Sequence, residues 1–80
     1  MTATAYILIS VTVGKARQVY EKLGAIQGVQ NVDAISGPYD IIAMVQGSDF
    51  NAIGTVVLDE IQAIEGVVDT ITCNVIHYEI

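Results

Sequence analysis

The segment Ala25-Ile26-Gln27-Gly28-Val29 returns as Ala63-Ile64-Glu65-Gly66-Val67, 38 residues later, in a chain of only 80. The same offset lays Ala5 on Ala43, Ser10 on Ser48 and Val19 on Val57. Each match holds the same place in its half: strand, loop, helix, helix exit. A strand-helix-strand unit present in two copies predicts an α+β fold, the ferredoxin-like βαββαβ sandwich. In it a four-stranded antiparallel sheet carries both helices on one face. Eighty residues is a single domain, near the small end of what folds alone. No linker or low-complexity run divides it.

The elements follow from periodicity. Residues 4–13 alternate, with Ala5, Ile7, Ile9, Val11 and Val13 on one face and Tyr6, Leu8, Ser10 and Thr12 on the other. Gly14 ends this strand. Ala16, Val19, Tyr20 and Leu23 then recur at helical spacing, and Gly24 or Gly28 stops the helix. Strands over 29–36 and 39–46 flank Gly37-Pro38, a turn signal, so they read as an antiparallel hairpin. Gly47-Ser48-Asp49 offers capping chemistry for a second helix carrying Phe50, Ile53, Val57, Ile61 and Ile64. Gly66 stops that helix, and 67–78 reads as the last strand.

Composition adds a pressure toward assembly. Hydrophobic residues are 52% and charged residues 15% of the chain, more apolar surface than one small core hides. With Ala5, Ile7, Ile9, Ala43 and Val45 turned to the helices, the opposite sheet face carries Tyr6, Leu8, Ser10, Thr12, Asp40, Ile42, Met44 and Gln46. That face is mixed and poor in charge, which predicts sheet-to-sheet dimers of the dimeric α/β barrel type. The narrow wet face of the second helix leaves room for further assembly.

Other functions are argued against. Nine acids face three bases, net charge −6, which lacks the basic footprint of direct nucleic-acid binding. The apolar N-terminal run is too short for a membrane span, and the residues from Met1 to Ala5 lack the positive region of a secretion leader. One cysteine, Cys73, forms no internal disulfide; it reads as a buried, inert thiol in a reducing compartment, and the expectation is a cytoplasmic protein. No catalytic triad, paired carboxylates, phosphate loop or metal-ligand spacing is visible, so no catalytic residue, metal or cofactor is expected. His77 lacks an orienting partner.

The stretches Gly28-Val29, Val32, Ile35-Ser36-Gly37-Pro38-Tyr39-Asp40-Ile41-Ile42, Ile64-Glu65-Gly66-Val67 and Thr70-Ile71-Thr72 carry a resemblance. They are similar to the effector-binding domain of the leucine-responsive/asparagine-regulator (Lrp/AsnC) family of transcription regulators, from Thr4 onward. In that family a Gly-x-x-Asp stretch opens the third strand and a Gly-Val…Thr-x-Thr stretch the fourth. The chain opens at the first strand of such a domain. The resemblance therefore implies a stand-alone module, residues 1–80, without a helix-turn-helix. It further implies dimers with facing sheets, rings of dimers (octamer or decamer), and amino-acid effectors held in clefts between dimers. Transcription would be modulated through a partner, such as a full-length regulator of the family.

Carried over residue by residue, the resemblance places Gly37, Pro38, Tyr39 and Asp40 at the effector site. Ile35 and Ser36 line the approach, and Thr72, Cys73 and Asn74 add contacts. The chemistry suits a free amino acid. A glycine turn exposes backbone N–H groups to a carboxylate, while Asp40 accepts from an ammonium. Plainer readings stand beside these. Gly37-Pro38 is a good turn with no ligand, Asp40 can brace that turn, and Thr72 suits a strand. Two rival functions remain: a cofactor-free dimeric enzyme of ferredoxin-like fold, and a purely structural oligomerisation module.

Overall fold

The computed structural model describes residues 2–79, so Met1 of the N-terminal stretch weighed above lies outside it. Seven consecutive pieces follow in chain order: β1 (Ala3–Val11), α1 (Ala16–Leu23), β2 (Val29–Ala34), β3 (Ile41–Gly47), α2 (Phe50–Val56), a π-helical turn (Val57–Ile61) and β4 (Val67–Asn74). The strands form one antiparallel sheet in the order β2-β3-β1-β4. This is the ferredoxin-like arrangement that the repeat predicts.

The alternation in β1 and β3 decides which side is the core. Ala5, Ile7, Ile9, Ile41, Ala43 and Val45 are buried, and Val19, Leu23, Ile53, Val57 and Ile61 meet them from the helices. No polar side chain is buried in the described residues.

α2 begins where its cap predicts: the Asp49 carboxylate accepts the Ala52 N–H at 2.7 Å. Its continuation is not a plain α-helix. Ile53, Val57 and Ile61 recur every four residues, and an α-helix of 3.6 residues per turn would swing each successive one about 40° further round. The wider turn, closed by the Gln62 N–H on the Val57 carbonyl at 2.9 Å, brings Val57 and Ile61 both onto the sheet.

Four strand ends fall short of the periodicity. β1 stops at Val11, because Thr12 donates its N–H to Gly66 and accepts from Lys15, leaving Val13 97% exposed. β2 ends at Ala34 and β3 opens at Ile41, so a six-residue loop replaces the tight Gly37-Pro38 turn. Ile35 closes that loop by donating to the Asp40 carbonyl at 2.9 Å. β4 stops at Asn74, beyond which the Val75 N–H still donates to the Thr4 carbonyl at 2.9 Å.

Candidate functional site

β1 runs past the end of β3, and that mismatch builds the loop. Val11 lies beyond Ile9, whose partner Ile41 is the first residue of β3, so the Val11 N–H has no β3 residue beside it. The Asp40 carboxylate takes its place, with Oδ2 accepting the Val11 N–H at 2.8 Å. The Asp40 N–H donates to the Ile9 carbonyl at 3.0 Å, and its own carbonyl accepts from Ile35. Asp40 thus braces the turn: two hydrogen bonds fix its backbone and one holds its carboxylate. Oδ1 accepts no hydrogen bond from the described residues. Ile35, Ser36, Gly37 and Pro38 are exposed, and Tyr39 and Asp40 half-buried.

The second group of predicted site residues lies elsewhere. Thr72 stands opposite Ile7 and Asn74 opposite Ala5, on the helix side of edge strand β4; Cys73 stands opposite Tyr6, on the other side. Strand alternation therefore divides the trio. Asp40 precedes Ala43 by three residues, and Ala43 is level with Ile7 and Thr72. At roughly 3.4 Å per residue and 4.8 Å per strand, Asp40 and Thr72 are about 14 Å apart. One amino acid cannot touch both within a single protomer.

The centre of the sheet's uncovered face is two cross-strand rows, flanked by the polar pairs Thr4–Gln46 and Ser10–Asp69. One runs Asp33, Ile42, Leu8, Ile71; the next runs Asn31, Met44, Tyr6, Cys73. Both are polar at the β2 edge, where Asn31 Nδ2 donates to Asp33 Oδ2 at 3.0 Å, and apolar over the other three strands. Cys73 is exposed in the protomer, against the expectation of a buried thiol, because β4 is an edge strand and this side of it has no cover.

Several cavities lie outside the predicted site. A groove of about 500 Å³ between α1 and β2 is lined by Ala16, Arg17, Tyr20, Glu21, Asp33 and Ala34. A second, about 330 Å³, lies among Thr4, Ser48, Asp49, Phe50, Val75 and His77. Periodicity marks Arg17 and Tyr20 only as helix residues; their place beside an edge strand depends on the topology. No three metal-binding side chains cluster among the described residues. No described helix is long and apolar enough to cross a membrane.

A family model described as the Lrp/AsnC ligand binding domain matches residues 4–78. An uncharacterized HTH-type transcriptional regulator of Pyrococcus abyssi is 36% identical over 72 residues, which cover 86% of this chain and 48% of that protein. The chain thus spans about half the length of that curated relative. A homocitrate synthase of Saccharolobus islandicus is 40% identical over 58 residues, 72% of this chain but only 12% of the enzyme. A transcriptional regulator of Neisseria meningitidis, solved as a complex with L-Met, superposes with a TM-score of 0.83 at 25% identity, over 94% of this chain and 50% of that one.

Proposed function

The chain belongs to the Lrp/AsnC ligand-binding domain family, and from that premise we propose that it is an amino-acid-sensing regulatory module that works by self-assembly. Two copies stack their uncovered sheet faces, and dimers assemble further, as rings of octamer or decamer size. The effector sits against the loop 35–40 at a seam between copies. Its output is a change in the activity of a partner regulator.

The observation that carries the reading is the state of Asp40. Its carboxylate is oriented by the Val11 N–H, yet one oxygen is uncommitted at the mouth of an exposed loop. An acceptor held before the ligand arrives needs no reordering to take an ammonium. Exposed Ser36 and Gly37 backbone groups would receive the carboxylate, and Thr72, Cys73 or Asn74 of another copy would close the cleft. A ligand that touches two copies binds the assembled state better, and shifts assembly by that difference in affinity. The Neisseria complex with L-Met supports an amino acid as the ligand class.

The homocitrate synthase likeness favours a second partner class: a module of this kind can report to an enzyme as well as to a DNA-binding chain. A thermal-shift screen of the twenty amino acids, read beside light scattering, tests the reading. Stabilisation by one or a few amino acids is expected, with loss in Asp40→Asn. A flat screen on assembled protein would leave a structural oligomerisation module. Turnover of a substrate by pure protein would move the assignment to an enzyme.

A further inference from the structure

One cation stands between two carboxylates on the border of the largest groove described above. That groove, about 500 Å³ between α1 and the outer edge of β2, is bordered by Arg17, Glu21 and Asp33, with Ala16, Ala34 and Tyr20 completing it. Of the three bases in the chain, only Arg17 is on this border; Lys15 and Lys22 are not. The groove is therefore net negative, yet it carries a fixed positive group.

The positions of these groups follow from the elements that carry them. Arg17 and Glu21 are one turn apart on α1, so their Cβ atoms are about 5–6 Å from one another on a shared face. They attract each other, but both are exposed, and an exposed pair of this kind is weak enough for a ligand to exchange. Asp33 is on edge strand β2. Asn31 Nδ2 donates to its Oδ2 at 3.0 Å on the sheet's uncovered side, so the carboxylate meets the groove at its rim. Between rim and helix the border is small or apolar: Ala34, and the ring of Tyr20, 42% exposed.

We propose that the α1–β2 groove binds a diamino acid of the lysine or ornithine class. Its carboxylate pairs with Arg17 and its α-ammonium with Glu21, neighbouring charges for the neighbouring groups of an amino-acid head. Its methylene chain lies over Ala34 against Tyr20, and its terminal ammonium reaches Asp33. Such a ligand carries one anion and two cations, the reverse of the groove's one cation and two anions. A neutral amino acid would leave Asp33 unanswered, and a diamine would leave Arg17 facing a second cation. The volume suits a small ligand, since binding pockets begin at about 300 Å³. This site is on the helix side of the β2 edge, apart from the Asp40 carboxylate and its bond to Val11. It goes beyond the reading of the loop 35–40 and stands or falls without it.

Titration calorimetry of the full chain with L-lysine, L-norleucine and cadaverine tests the site. Norleucine lacks the terminal ammonium and cadaverine the carboxylate. Each should bind at least about threefold more weakly than lysine, the share of one exposed ion pair. Arg17→Gln should narrow the preference for lysine over cadaverine, and Asp33→Asn the preference over norleucine. Glu21→Gln should weaken lysine by a similar factor, while Lys22→Gln, outside the groove, should change none of the affinities. Circular dichroism checks that each variant is folded; should one misfold, the three ligands on the wild type still decide. Lysine that fails to bind, that binds no better than both analogues, or that binds the folded Arg17, Glu21 and Asp33 variants as it binds the wild type overturns the site. Asp40→Asn separates the two readings. Lysine binding lost there but kept in Glu21→Gln supports the loop 35–40 and overturns the groove; the opposite pattern supports the groove. Two binding events, each weakened by its own variant, support both.

Discussion

Gly28 and Gly66, the paired helix exits of the repeat, show how far single residues were readable. Both have positive φ, +98° and +103°. Their being glycine at matched positions marks a backbone that side chains resist. What the repeat does not reveal is how tightly Gly66 is enclosed. A Cβ there would lie 2.9 Å from Lys15 Cβ and 3.2 Å from Val19 Cγ2, whereas at Gly14, φ +85°, it would meet nothing. Gly14→Ala should therefore cost about 1 kcal/mol of backbone strain, and Gly66→Ala about 2–4 kcal/mol, strain and overpacking together. Urea unfolding of the two variants measures the difference. Equal losses would mean that the packing around Gly66 yields. Asp40 was legible only as a choice between turn brace and ligand contact. The sequence carries no sign that β1 outruns β3, and it is that offset which assigns the carboxylate to the Val11 N–H. Asp40→Ala removes a charge-assisted bond from a half-buried N–H and should cost about 1.5–3 kcal/mol, measured by chemical denaturation without effector.

At the scale of elements, type and order were legible because each has its own hydrophobic period, while ends were not. A strand ends where its backbone ladder ends, and no local signal records that. β4 ends at Asn74, although alternating residues continue to Tyr78 and β1 continues to Ala3. Gly37-Pro38 was a sound turn signal, yet the closing bond between Ile35 and Asp40 sets the loop at six residues. The second helix is the instructive case. Its four-residue spacing is helical but drifts round an ideal α-helix, and the π turn is the backbone's accommodation. That turn divides its residues sharply. Ile61 is fully buried and Leu58 65% exposed. Ile61→Ala should cost about 2–5 kcal/mol by cavity formation, and Leu58→Ala under about 0.5 kcal/mol in the dimer. Guanidinium unfolding midpoints at fixed protein concentration check both. A regular α-helix would swing Ile61 from the sheet and shrink its loss.

The whole molecule explains why the candidate site was the least legible part. The loop 35–40 and the strand residues 72–74 belong to separate regions of one protomer, so a site built from both would need a second copy, and no periodicity within a chain reports the angle at which copies meet. What the chain does report is the need for cover. Leu8, Ile42, Met44, Tyr6 and Ile71 form a continuous apolar band across β3, β1 and β4 with water on one side. A band of this kind is stabilised by a partner, and stability that depends on a partner depends on concentration. The melting temperature should therefore rise as protein concentration rises. Leu8→Glu, at the centre of the band but outside the helix-facing core, should leave a folded monomer whose melting temperature no longer responds. Ile7→Glu, its neighbour on the buried side, should instead abolish folding, because it places a charge among Ile9, Ala43 and Val45 with no partner. Adjacent residues with opposite failures, one of assembly and one of folding, are what a sheet with one filled face and one borrowed face requires. A Leu8→Glu protein that still sedimented as a dimer would show that the copies meet elsewhere, and the seam on which the loop 35–40 depends would have to be sought on the helix side.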